Sequence, residues 1–179
     1  MQQKTSQLGT IGELLVMVKL TQKGWTALNA NASVKNIARY DILCTKDEKN
    51  VAFIQVKTTK ETTFPVGFSI GKAKDKSFLN EHIIGPWVFV RQIGDGTDAS
   101  YRYYILTKEQ VIKLIEESNN WYLGLEREGK SPSESSACAL KESWLQGRND
   151  SPVRLNGKDF INPLNNVKTE DAWDNIWSK

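Results

Sequence analysis

Within residues 7–23 (QLGTIGELLVMVKLTQK), apolar side chains at Ile11, Leu14, Leu15 and Val18 recur three and four apart, which predicts a helix with one buried stripe. Gly24 follows where a helix-terminating glycine belongs. Trp25 to Ala30 reads as a short strand, with a polar loop after it to about residue 38. Residues 40–44 (YDILC) and 51–57 (VAFIQVK) alternate with period two around the polar turn KDEKN, so they predict a β-hairpin. Alternation puts Asp41 and Leu43 on one face, and Tyr40, Ile42 and Cys44 on the other. On the second strand Gln55 and Lys57 share a face, while Ile54 and Val56 point away from it.

Residues 72–80 read as a short helix. Residues 86–93 (PWVFVRQI) and 101–106 (YRYYIL) read as two strands joined by the turn-rich GDGTDAS. Thr107 is placed to cap a helix, KEQVIKLIEES, whose apolar positions Val111, Leu114 and Ile115 are regularly spaced. Helix, three strands, helix, two strands and helix make an α/β class with a mixed central β-sheet flanked by helices. After residue 118 the pattern weakens: GKSPSESS (129–136) reads as a loop, and 146–166 is rich in Asn, Gly and Pro. In the last stretch, TEDAWDNIWSK, Thr169 offers a cap and Trp173, Ile176 and Trp177 form one stripe, so a terminal helix docked on the core is expected. The expected organisation is one domain over 1–179, with a core at 1–118 and an extension at 119–179 packed on it.

Composition sharpens this outline. With 39% hydrophobic and 25% charged residues the chain can build a core. No apolar run approaches the roughly 18 residues that span a bilayer. The polar start, Met1 to Thr10, lacks a secretory apolar segment, and the expected location is cytoplasmic. Two cysteines outside any CxxC pair and a single histidine, His82, exclude a Cys/His zinc site and a disulfide scaffold. Cys44 reads as core and His82 as structural. Catalysis in such a chain rests on carboxylates, lysines, hydroxyls and bound metal. The net charge of +3 is a weak signal, but its distribution is uneven. Residues 1–80 carry 12 basic and 6 acidic side chains; residues 81–179 carry 12 and 15. An electropositive face should therefore come from the first half, and the acidic second half should face away from a polyanion.

The informative constellation is Asp41 with Gln55-Val56-Lys57, and Glu13 upstream. In the predicted hairpin, Asp41 and the Gln55/Lys57 pair interrupt apolar strands near one end of the sheet. A carboxylate beside a half-buried lysine and an amide carbonyl suits a divalent-metal phosphodiesterase site. Mg²⁺ (or Mn²⁺) takes hard oxygen ligands and leaves positions for water and phosphate. Asp41 would be the main ligand, Gln55 a second oxygen ligand, and Lys57 the residue that handles charge and protons. Each residue also has a plain structural reading: a turn acid, a strand-edge lysine, a solvated helix glutamate.

These segments, GELLVMVKL, YDILCT and VAFIQVKTT, resemble the PD-(D/E)xK superfamily, the restriction-endonuclease-like nucleases that include archaeal-type Holliday junction resolvases and some homing endonucleases. There a helical glutamate precedes a strand aspartate, and an acid-x-Lys follows on the next strand; here Gln55 lies 14 residues after Asp41. The resemblance implies a restriction-endonuclease-like core, a metal site of Glu13, Asp41 and Gln55 with Lys57 beside it, and DNA as substrate. It covers about residues 6–60. Tyr40 stands where the family has proline, and Gln55 where it has an acid; some active members carry Gln there.

Lys35, Arg39, Lys60, Lys72, Lys74 and Lys76 are candidate DNA-backbone contacts, although GKAKDK fits a solvated helix face equally well. The leading expectation is a Mg²⁺-dependent DNA endonuclease. The competing ones are a noncatalytic nucleic-acid-binding module that keeps the fold, and a structural protein in which these residues coincide. Cutting both strands calls for two active sites, which a homodimer would supply.

Overall fold

The computed structural model describes residues 5–30, 39–124, 133–148 and 159–178. Helix α1 (Thr5–Gln22) ends at Gly24, whose φ of 79° lies in the left-handed region that glycine enters without strain. Strands β1 (Thr26–Asn29), β2 (Ile42–Thr45) and β3 (Val51–Thr59) follow, the last two as the predicted hairpin. Then come β4 (Thr63–Ser69), α2 (Ile70–Ala73), α3 (Lys76–His82), β5 (Trp87–Ile93), β6 (Ser100–Leu106) and α4 (Lys108–Leu123). Thr107 caps α4 as expected, in a reciprocal capping box with Gln110. Strand β7 (Ala137–Lys141) and α5 (Glu142–Leu145) precede a terminal 3₁₀ turn, Trp173–Ile176.

The main sheet has the order β1-β2-β3-β5-β6, antiparallel except for the parallel pair β3/β5. This is the mixed sheet flanked by helices that the pattern predicts. Alternation sorts its side chains between two cores. On one face Ile42, Cys44, Ile54, Val56, Val88 and Ile105 meet Val16 and Leu20 of α1 and Trp173 of the terminal turn. On the other, Trp87, Phe89, Tyr104 and Leu106 of β5 and β6 meet α4, β4, β7 and α5. That second layer covers β5, β6 and the end of β3, where Gly67 of β4 approaches Lys57. Toward β1 the same face shows Leu28 at 56% and Phe53 at 39% exposure.

Four expectations are corrected. The buried stripe of α1 is not the predicted one: Leu14 and Val18 are 53% and 52% exposed, while Leu8, Val16 and Leu20 are buried, because the helix turns its Gly12 face onto β3. The single helix at 72–80 is two helices, because the Asp75 side chain accepts the Ser77 N–H (2.8 Å) and starts a new one. The terminal helix is only a 3₁₀ turn: Thr169, rather than capping it, donates its hydroxyl to Leu145 O. Its docking stands, with Trp173 and Ile176 buried and Trp177 edge-on to Trp25. The β4/β7 sheet was not expected. Pro65 and Gly67 argue against a strand by composition, and here they sit at a register shift opposite β7. Among the described residues no helix is long and apolar enough to cross a membrane.

Candidate active site

The site arises where strands of unequal length part. β1 and β2 stop at the Asn29–Ile42–Ile54 row, while β3 runs on through Gln55–Thr59 with β5 along one side. On its other side Asp41 N–H still donates to Ile54 O (2.8 Å). The next donor on β3, the Val56 N–H, goes to the Asp41 carboxylate (2.7 Å) in place of a strand carbonyl. Gln55 Nε2 donates to the same oxygen, Oδ2. Asp41 thus lies at the edge of β3, held by side-chain substitution for a ladder bond.

This corrects the alternation predicted for the start of β2. The chain is irregular before Ile42, so Tyr40 and Asp41 do not follow the strand's period. Tyr40 lays its ring 4.8 Å from that of Phe53, the cross-strand partner of Leu43, and so sits on the face opposite the one expected. The Gln55/Lys57 face holds.

Glu13 reaches this notch because Gly12 lets α1 approach β3 closely: a Cβ at Gly12 would overlap Thr58 Oγ1. Glu13 accepts a hydrogen bond from Asn29 Nδ2 (3.2 Å) at the end of β1. Burial, then the neighbouring Asp41 carboxylate, push the Glu13 carboxyl above 4.5, and the Asn29 bond opposes them. Lys57 is pulled the other way. Burial lowers its ammonium below 10.5, while Asp41 draws it back up. Its Nζ lies 5.1 Å from the Trp87 ring centroid, and a Cβ on Gly67 (φ 101°) would stand 3.5 Å from that nitrogen. Thr58 Oγ1 is buried with no hydrogen-bond partner among the described residues.

The structure therefore brings Glu13, Asp41, Gln55 and Lys57 into one neighbourhood from three elements. Among the described residues no cluster of three or more His, Cys, Asp or Glu is arranged to hold a metal; the set here is two carboxylates and an amide. The sequence pattern does not single out Asn29, Gly12, Trp87 or Gly67. Only Gly12, a helix-interior glycine beside the glutamate, left a signal.

The candidate DNA contacts are placed differently from expectation. Arg39 pairs with Glu81 (3.0 Å), Lys60 with Asp95, Lys74 with Glu134 (2.5 Å) and Lys76 with Glu116 (3.5 Å). Lys72 rests over the Phe78 ring, 5.9 Å from its centroid. Lys35 lies outside the described residues. All four acids belong to the second half of the chain, so that half reaches across to first-half cations instead of simply facing away. The pairs are largely exposed and exchangeable. Cys44 and Cys138 are buried thiols pushed up to about 11 and about 12, as suits core residues. His82 stacks on Phe78 (3.7 Å).

No protein-family model matches the chain, and no curated protein matches it either. Among solved structures it is similar to Hjc, a Holliday junction resolvase of the archaeal hyperthermophile Archaeoglobus fulgidus. That match has 19% identity and a TM-score of 0.37, over 75% of this chain and 89% of the other. It is also similar to the bacterial homing endonuclease I-Ssp6803I, at 13% identity and TM-score 0.39, over 81% and 94%. At these scores the likeness is one of partial topology, and the chemistry has to be read from this chain's own residues.

Proposed function

We propose that this chain is a divalent-metal-dependent endonuclease that hydrolyses DNA phosphodiester bonds. The observation that supports the reading most is the notch that gathers Asp41, fixed by the Val56 N–H, and Glu13, fixed by Asn29 at the end of β1; burial, then the Asp41 charge, push the Glu13 carboxyl up. A dication is what such a pair lacks. The donor set fits Mg²⁺ or Mn²⁺, since carboxylate and amide oxygens are hard ligands and no soft ligand is present. Asp41, Glu13 and the Gln55 carbonyl oxygen would hold it; Gln55 already turns its nitrogen to Asp41, leaving that oxygen as the ligand atom. When bound, the metal would activate a water and neutralise charge on the phosphoryl group.

The remaining work falls to the chain itself. The Val56 N–H fixes the Asp41 carboxylate, and Asn29 fixes that of Glu13, so neither reorganises when substrate arrives. Lys57, desolvated over Trp87, has an amine poised to hold the attacking water and exchange a proton with it. It also supplies positive charge to a phosphoryl oxygen. The exposed cations Lys72, Lys74 and Lys76 would exchange their present partners for phosphates as counterions are released. Cleavage of both strands would pair two such chains in a homodimer.

Incubating supercoiled plasmid with Mg²⁺ or Mn²⁺ tests this. Wild type should nick the plasmid, while Asp41→Ala and Lys57→Ala should not. One observation favours a second reading, a noncatalytic DNA-binding module: Gln55 places an amide where an acid would add charge for the metal. If the plasmid shifts in a gel but neither metal yields cleavage, that reading replaces the first.

A further inference from the structure

Beside the site, the open half of the sheet carries an apolar shelf. Leu28, Leu43 and Phe53 form one cross-strand row on the face that bears Gln55 and Lys57, and Tyr40 leans on Phe53 with a ring tilt of 57°. Leu28 and Phe53 of this row are exposed, and Leu43 between them is half-buried. Tyr40 is held at both ends. Arg39 before it donates to Glu81 O (2.8 Å) and pairs with the Glu81 carboxylate, while Asp41 after it joins β3. A cleft of about 380 Å³ opens between Phe53 and the Ile84–Pro86 turn, with Lys49, Lys108 and Glu109 on its walls.

The shelf begins within one residue pair of the carboxylates, so whatever places a phosphodiester at the site must also lie across it. A continuous duplex offers a protein its charged backbone and groove edges, and hides the faces of its bases. An apolar, aromatic shelf has nothing to exchange with those phosphates. An unpaired base has an exposed π-face, and stacking on aromatic side chains contributes regardless of sequence. Resting on the nuclease reading, we infer that Phe53 and Tyr40 form a stacking platform for an unpaired base next to the scissile phosphate. The substrate class is then DNA that is single-stranded at the cleavage point rather than continuous duplex.

Binding without metal tests this apart from catalysis. Single-stranded DNA containing 2-aminopurine and its fully paired duplex are each titrated with the full chain in EDTA. Wild type should quench 2-aminopurine and bind the single strand more tightly than the duplex. Phe53→Leu keeps apolar cover for Tyr40 but loses the π-face. It should weaken single-strand binding about tenfold and abolish the quench, with duplex affinity unchanged, while Phe53→Trp restores both. Equal losses on both DNAs, or no loss on the single strand, would overturn the inference. So would sedimentation showing that Phe53→Leu dissociates a dimer, which would make the shelf an interface between copies. Quenching without cleavage in the plasmid assay would sink the nuclease reading and leave the platform standing.

Discussion

Two polar clusters sit on the same sheet and are built in opposite ways. At one, Glu142 accepts the Tyr104 hydroxyl (2.7 Å) and faces Arg91 (3.4 Å) and Arg102 (3.9 Å), and Gln146 Nε2 donates to Tyr104 (2.9 Å). Burial and that bond to Glu142 push the Tyr104 phenol up to about 12, so it stays a donor. This cluster ties α5 to β5 and β6. At the other, Glu13 and Asp41 carry like charges, Lys57 is desolvated, and Thr58 Oγ1 finds no partner among the described residues. The first network matches opposite charges and holds the fold together, even though Arg91 Nε makes no hydrogen bond among the described residues. An unsatisfied one forgoes stability, and a ligand that supplies the missing charge recovers it.

The contrast predicts which substitutions separate stability from activity. Asp41→Asn should cut plasmid nicking about a thousandfold or more while circular dichroism stays native, since it removes the ligand charge but keeps the acceptor for Val56 N–H. Glu142→Ala does the reverse. It strands a buried Arg91 beside β5 and should lower stability by about 3 kcal/mol, a Tm drop of roughly 6–12 °C. Cleavage per folded molecule should not change.

Glu13→Gln sharpens the comparison further. It should abolish cleavage yet raise Tm in EDTA by about 1–2 °C, roughly 0.5 kcal/mol for a half-exposed charge. The sign follows from the carboxyl being raised above 4.5: the fold favours the protonated form, so that contribution is present at low pH and lost as pH climbs through the raised value. Melting curves from pH 4 to 7 should therefore show the wild type losing ground to Glu13→Gln. The smallest effect is expected at the exposed pairs. Lys74→Ala should shift stability by less than about 0.5 kcal/mol, and a DNA gel shift should show a shallower salt dependence.

How far the sequence discloses this arrangement depends on the kind of signal. The β2/β3 hairpin, β5, β6 and α4 follow from local periodicity, and Thr107 from its cap chemistry, so these were legible; α1 was legible as a helix, but its buried face, Val16 and Leu20 beside Gly12, was not. β4 was hidden because Pro65 and Gly67 mask a strand whose partner among the described residues, β7, lies more than 60 residues on. Glu13, Asp41, Gln55 and Lys57 stood out as a pattern of residue types, but the geometry that gathers them did not. Asp41 leaves the strand's alternation by bonding the backbone of β3, and no periodicity anticipates a side chain that takes the place of a ladder carbonyl. The partners of the basic residues were hidden for a similar reason. Lysine runs announce charge, whereas the acids that answer them, Glu116 and Glu134, come from distant segments.

On the nuclease reading, the Glu13–Asp41 pair destabilises the metal-free fold and a dication relieves it. Thermal melts of wild type and Glu13→Gln, each in EDTA and in saturating Mn²⁺, test it most directly. The prediction is a crossing: the variant melts higher in EDTA and the wild type melts higher in Mn²⁺, because only the wild type gains from binding. A variant that melts lower in EDTA, or a wild type that Mn²⁺ does not stabilise, would contradict the account.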